Sequence, residues 1–176
     1  NQPGSWTLKR EAFGAARARR FDSFARMDYG WLHVDGMEIR IRRNGEAAWP
    51  AEGWQEVPVS THVRPEQDLA LEVQEGDELT FEVGARANAD CDHLRWPLTL
   101  TYADGETFDR AAGFSGEQGR HGWSYRVRLA ACVEPLVYDV AGQRWQRPGS
   151  RLQITATEVQ PDKDVTAELV FTCPKP

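Results

Sequence analysis

Apolar and polar residues alternate with a period of two along most of this chain. The clearest runs are Met37-Glu38-Ile39-Arg40-Ile41-Arg42 and Leu79-Thr80-Phe81-Glu82-Val83. Successive side chains of a strand point to opposite faces, so each run predicts a strand with one face buried. Comparable runs cover Leu69–Val73, Leu98–Tyr102, Trp123–Leu129, Leu136–Val140, Leu152–Ala156 and Val165–Phe171, and about ten strands are expected in all. Turn signals separate them: Asp35-Gly36, Asn44-Gly45, Glu75-Gly76-Asp77, Ala103-Asp104-Gly105, Ala141-Gly142 and Arg147-Pro148-Gly149. Each supplies a residue that tolerates positive φ where the chain reverses. The one helix-like stretch, Glu11–Arg20, is rich in Ala but interrupted by Gly14 and lacks a wide apolar stripe. Short strands at regular spacing, with no helices between them, predict an all-β fold. The expected form is an antiparallel two-sheet β-sandwich of jelly-roll type, with a closed barrel as the lesser alternative.

Composition narrows the partners. The 176 residues carry 27 acidic and 21 basic side chains, a net charge of -6, so no global positive field gathers phosphates and nucleic acid is not an expected partner. No run approaches the roughly 20 apolar residues that span a membrane. Residues 1–176 read as a single module, and the absence of a starting Met suggests one excised from a larger multidomain protein. Lys occurs only at Lys9, Lys163 and Lys175. An acidic sugar is a conceivable ligand if Arg17, Arg19 and Arg20, or Arg120 and Arg126, converge, because the guanidinium fork matches a carboxylate.

Tryptophan is the first candidate for chemistry. Trp6, Trp31, Trp49, Trp54, Trp96, Trp123 and Trp145 are spread over the chain, several beside Gly or Pro. An indole exposed in a loop packs against the C–H face of a pyranose, whereas an indole between sheets is core. Trp96 and Trp123 stand out for their polar neighbours. The Gly-rich run Gly113–Tyr125 would let polar groups approach a small ligand closely, but it has neither the Gly-Lys-Ser/Thr of a phosphate loop nor the Gly-x-Ser-x-Gly of a nucleophile elbow.

Asn88, Asp90 and Asp92 place three oxygen-bearing side chains within five positions, a candidate for a structural calcium ion. Asx-rich loops also cap their own backbone without metal. His33, His62, His93 and His121 show no metal spacing, and sequence alone brings no carboxylate pair to catalytic distance. Cys91, Cys132 and Cys173 allow at most one internal disulfide; Cys132 and Cys173 would pair if their strands end side by side.

Several motifs follow one another in a definite order along the chain. Asp35-Gly36, Ile39–Gly45, Ala48-Trp49-Pro50 and Gly53-Trp54 come first, followed by Val73–Val83 with its Gly76-Asp77. Asn88, Asp92, Trp96-Pro97 and Thr101-Tyr102 come next, then Gly113–Tyr125. In this order they resemble the β-sandwich accessory repeats of large secreted bacterial polysaccharide-degrading proteins over roughly Asp35–Tyr125, with Trp96 directly followed by Pro97 where the family usually has a residue between, and Ala85-Arg86-Ala87 where it has glycine before Asn88.

The resemblance implies a non-catalytic carbohydrate-binding module, secreted or at the cell surface, that holds covalently linked parent domains near a polysaccharide or glycoprotein glycan. No membrane partner and no required cofactor are expected. On this reading a sugar stacks on Trp123, Tyr125 or Trp96, with hydrogen bonds from Asp92, Gln118 and Arg120. Two alternatives remain open: a spacer or protein-interaction sandwich that binds no sugar, and a small polysaccharide lyase or hydrolase.

Overall fold

The computed structural model describes residues 4–8, 36–57, 69–87, 89, 92–96 and 98–174. Among them lie sixteen strands in three antiparallel sheets. The first sheet has the order β5 (Leu69–Val73), β1 (Gly4–Leu8), β8 (Thr99–Tyr102), β9 (Thr107–Asp109). The second runs β11 (Val133–Pro135), β10 (Trp123–Arg128), β16 (Thr166–Thr172), β6 (Glu78–Ala85), β2 (Met37–Arg43), β3 (Glu46–Trp49), with β4 (Gln55–Val57) also on β2. The third runs β12 (Val137–Asp139), β13 (Arg144–Gln146), β14 (Gln153–Ile154), β15 (Glu158–Gln160), β7 (Leu94–Arg95).

The alternation read from the chain now has a direction. Ile39 and Ile41 of β2, Leu79, Phe81 and Val83 of β6, Trp123, Tyr125 and Val127 of β10, and Ala167, Leu169 and Phe171 of β16 form one inner face, each at most 1% exposed. Burying each large side chain contributes roughly 1.5–3 kcal/mol. The smaller sheets cover this face side by side. Phe108 of β9 meets Phe171 with ring centroids 5.2 Å apart, and Trp145 of β13 stacks on Tyr125 at 5.5 Å. The expected all-β sandwich is the observed fold.

Strand number exceeds the expected ten because several strands are fragments. β3 and β4 are two halves of one edge, both paired with β2 and separated by residues 50–54, which turn away after a cis Trp49–Pro50 peptide. β7 and β14 are only two residues each. One short helix, α1 (Arg110–Gly113), had no signal in the hydrophobic pattern; Asp109 caps it by accepting from the Ala112 N–H at 2.8 Å. The helix-like stretch 11–20 lies outside the described residues, as do Trp31 and the arginines at 17, 19 and 20.

Candidate functional site

The rings expected to hold a sugar are core rings. Trp96 is 0% exposed, and Trp123 and Tyr125 are 1% exposed. Phe81 packs its ring edge-on against Trp96 at 5.8 Å and tilted against Trp123 at 6.0 Å, and Phe114 closes on Tyr125 at 5.4 Å. None of the three presents a face to a ligand. The cause is parity: Trp123, Tyr125 and Val127 share one side of β10, and that side lies between the sheets.

The polar residues expected beside them are also engaged or buried. Gln118 uses its side chain as a strand partner, accepting from the Tyr125 N–H at 2.7 Å and donating to the Tyr125 carbonyl at 2.8 Å. Asp92 is 3% exposed, which removes its carboxylate from the surface position a sugar hydroxyl would need. Arg120 stays exposed beside Glu117, 3.8 Å away, whereas Arg126 pairs with Glu78 and Glu168, so the two arginines do not converge. Asn88 and Asp90 lie outside the described residues, and among the described residues no cluster of three potential metal ligands forms. Cys132 is exposed and Cys173 buried, and no disulfide joins them, so the pairing that adjacent strand ends would have allowed does not form; Cys91 is outside the described residues.

Tyr125 also contacts a fully buried charge. Arg110 is 0% exposed and donates to the carbonyls of Thr155 at 2.7 Å and Trp96 at 3.1 Å. Burial brings its pKa down to about 10, opposed by Tyr125 and Asp109, and burial pushes the Tyr125 hydroxyl up to about 12, opposed by Arg110. At neutral pH both keep their protons. Arg110 thereby ties α1 to β10 of the second sheet through Tyr125 and to the end of β14 in the third through the Thr155 carbonyl.

On the outer face of the seven-stranded sheet the register aligns Arg40, Glu82, Glu168 and Arg126 in one row across β2, β6, β16 and β10. The side chains of Glu82 and Glu168 are 0% exposed. Arg40 pairs with Glu82, Arg126 with Glu168 at 3.2 Å, and Arg128 reaches both carboxylates, 2.5 Å from Glu168 and 3.7 Å from Glu82. Two like charges directly opposite on adjacent strands repel, so the arginines set across them make the row tenable.

The same row ends at Trp54. It is half-buried, follows the outward turn between β3 and β4, and has the Arg40 guanidinium 4.0 Å from its ring centroid. Alongside, Glu38 and Glu56 are direct cross-strand partners, and Arg86 forks onto Glu56 at 2.9 and 3.2 Å. Burial lifts the Glu38 carboxyl above the usual carboxylate range and Glu56 adds to this, against the pull of Arg40 and Arg86. Among the tryptophans whose side chains are described, Trp54 alone neither is buried nor packs against the core.

An open groove of about 520 Å³ lies at the neighbouring hairpin, lined by Arg43, Asn44, Glu46, Ala47, Ala48 and Leu71. The hairpin turns through Asn44 (φ 51°) and Gly45 (φ 84°), the two left-handed residues that a two-residue connection requires. Asp77 then fixes its base. Its carboxylate accepts from Arg43 Nε at 2.8 Å, Asn44 Nδ2 at 2.7 Å and the Gln74 N–H at 2.8 Å. Burial alone would raise the Asp77 pKa, but the Asn44, Gln74 and Arg43 contacts outweigh it and hold the carboxyl below its usual range. Arg43 is thereby anchored through Nε, with both terminal nitrogens uncommitted among the described residues. The lining combines the apolar side chains of Ala47, Ala48 and Leu71 with donors on Arg43 and an acceptor on Glu46.

The sequence singled out the Asn44-Gly45 turn and the Gly76-Asp77 turn, yet only the register of β2 against β6 brings them into contact. Trp54 was one of seven tryptophans with nothing to distinguish it. No family model, curated protein or solved structure matches the chain.

Proposed function

We propose that the chain is a non-catalytic carbohydrate-binding module, which through covalently linked domains holds a parent protein against a polysaccharide or glycoprotein glycan. The observation that carries the reading is the groove at the β2–β3 hairpin. Its volume lies within the range of small-ligand sites. A sugar ring has an apolar C–H face and a rim of hydroxyls that both donate and accept. Leu71, Ala47 and Ala48 offer apolar surface to the first, while Arg43 and Glu46 offer donors and an acceptor to the second. Affinity per module is modest, because each hydroxyl exchanges a bond to water for a bond to protein.

The test is a broad glycan array followed by calorimetry on the hits, with Arg43→Met and Ala47→Trp as probes. Ala47 is exposed and lines the groove, so a Trp there fills the space without entering the core. Loss of binding in both variants, each still folding cooperatively by thermal unfolding, is the expected result. Hits that both variants retain would move the ligand elsewhere.

A second reading is favoured by a separate observation. Trp96, Trp123, Tyr125 and Gln118, the residues first expected to meet a ligand, all serve the fold itself. A module whose distinctive residues are structural fits a spacer or protein-interaction domain, and an array without hits would favour it.

A further inference from the structure

We propose that Asn44 is a site of spontaneous covalent modification that the fold keeps closed. In the folded hairpin its side chain is held away from the backbone nitrogen of Gly45, and opening of the β2–β3 hairpin lets the two react. The site does not depend on what the groove binds.

The chain has three asparagines, Asn1, Asn44 and Asn88, and only Asn44 precedes a glycine. In that dipeptide the glycine nitrogen, which no β-carbon shields, can attack the asparagine side chain. The Gly45 N–H gives its proton to solvent base and a bond forms from the nitrogen to Asn44 Cγ. The Cγ–Nδ2 bond breaks, and Nδ2 leaves as ammonia with a proton from solvent. Water then opens the cyclic imide at either carbonyl, giving aspartate or isoaspartate, so water is the only co-reactant. Asn44 and Gly45 are both exposed, and a β-carbon on Gly45 would meet nothing within 4 Å, so solvent reaches the reacting atoms.

What holds the reaction off is the grip of this side chain on the start of β6. Asn44 Nδ2 donates to Asp77 Oδ1 at 2.7 Å, its Oδ1 accepts from the Glu78 N–H at 2.9 Å, and its own N–H donates to the Glu78 carbonyl at 2.9 Å. Exchanging the amide N and O would set an oxygen against the Asp77 carboxylate, so the chemistry fixes which way the amide points. Attack requires Cγ to swing back onto the next residue of the turn, which breaks both side-chain bonds. Asp77 is itself held by Arg43 Nε and the Gln74 N–H, so the far end of the clamp is anchored. Losing two hydrogen bonds, one of them to a carboxylate, makes the reactive rotamer rarer by a factor on the order of 10–100. Modification is then one-way. A carboxylate at position 44 faces Asp77 where a donor stood, and isoaspartate lengthens the backbone of a two-residue connection.

The experiment follows the peptide carrying residue 44 by mass and chromatographic position while the whole chain stands in mildly alkaline buffer. Folded wild type, wild type unfolded in guanidinium chloride, and Asp77→Ala are compared, with circular dichroism as the folding control. Asp77→Asn, which trades a charged acceptor for a neutral one, replaces Asp77→Ala if that variant does not fold. Folded wild type should convert more slowly than the unfolded chain by a factor on the order of 10–100, and the folded Asp77 variant should convert at least roughly threefold faster than folded wild type. Equal rates in folded and unfolded wild type would overturn the protection without recourse to any variant. Protection undiminished in a folded Asp77 variant would overturn the clamp, and no conversion even in the unfolded chain would overturn the site. Asn44→Asp, which reproduces one product, should unfold at a lower temperature than wild type at neutral pH; an equal midpoint would overturn the one-way opening of the hairpin.

Discussion

Replacing Arg128 with Met tests whether the outer row of the large sheet is held by charge. The substitution keeps an apolar stem of similar length and deletes the guanidinium that lies 2.5 Å from Glu168 and 3.7 Å from Glu82. Both carboxylates are fully buried and face each other directly in register. Removing one partner of a buried ion pair costs about 3–5 kcal/mol when nothing else compensates. Here Arg40 and Arg126 remain, and Arg128 is itself 38% exposed, so part of its attraction is screened by water and the expected loss is about 2 kcal/mol. For a chain of this size that lowers the Tm by about 4–8 °C. Urea unfolding of wild type, Arg128→Met, Glu168→Gln and the double variant closes a cycle. Glu168→Gln should cost at least about 1 kcal/mol less once Arg128 is gone, because it then relieves the repulsion between the two carboxylates. Additivity within about 0.3 kcal/mol, or a single-variant loss below about 0.5 kcal/mol, would show that the row is not electrostatically coupled.

Three further outcomes follow from the same geometry. Gln118→Ala should destabilise by about 2 kcal/mol, through two lost bonds to the Tyr125 backbone at 2.7 and 2.8 Å, and leave ligand affinity unchanged; loss of binding at wild-type stability would return Gln118 to the ligand. Gly122→Ala forces a side chain onto φ 81° with its Cβ 2.8 Å from the Phe171 ring and 3.2 Å from the Thr172 carbonyl, and should cost about 2–3 kcal/mol in chemical denaturation; a variant as stable as wild type would place that turn elsewhere. Asp77→Asn should lower stability at neutral pH. Because the folded pKa of Asp77 lies below the unfolded value of about 3.9, its stabilisation is present above that pH and disappears as pH falls through the folded pKa. The gap between wild type and variant should therefore be constant from pH 6 to 8 and close below about pH 4, and a gap that persists at the acid end would assign the role to something other than charge.

The period-two pattern located the strands because it reports a local property, the side of the backbone on which each residue falls. It was also enough to warn against the ring hypothesis. In Trp123-Ser124-Tyr125-Arg126-Val127-Arg128 the two aromatics share parity with Val127, and Trp96 falls in step with Leu94 and Leu98, all of them buried. Loop position and polar sequence neighbours suggested exposure, but in a strand the neighbours at i±1 occupy the opposite face and say nothing about the ring. Glu82 and Glu168 gave the complementary signal, each a lone carboxylate inside an apolar run, and the arginines at 40, 126 and 128 alternated on two other strands. What no single strand could reveal was the pairing order that places β16 beside β6 and β10, and with it the row. The groove was hidden for the same reason: Asn44 and Asp77 are 33 positions apart, and the contact that stiffens the hairpin exists only once β2 lies on β6. The residues that alternate were readable one strand at a time. Those that meet a ligand on this reading are defined by edges, where the hydrophobic pattern fades and register alone decides who stands beside whom.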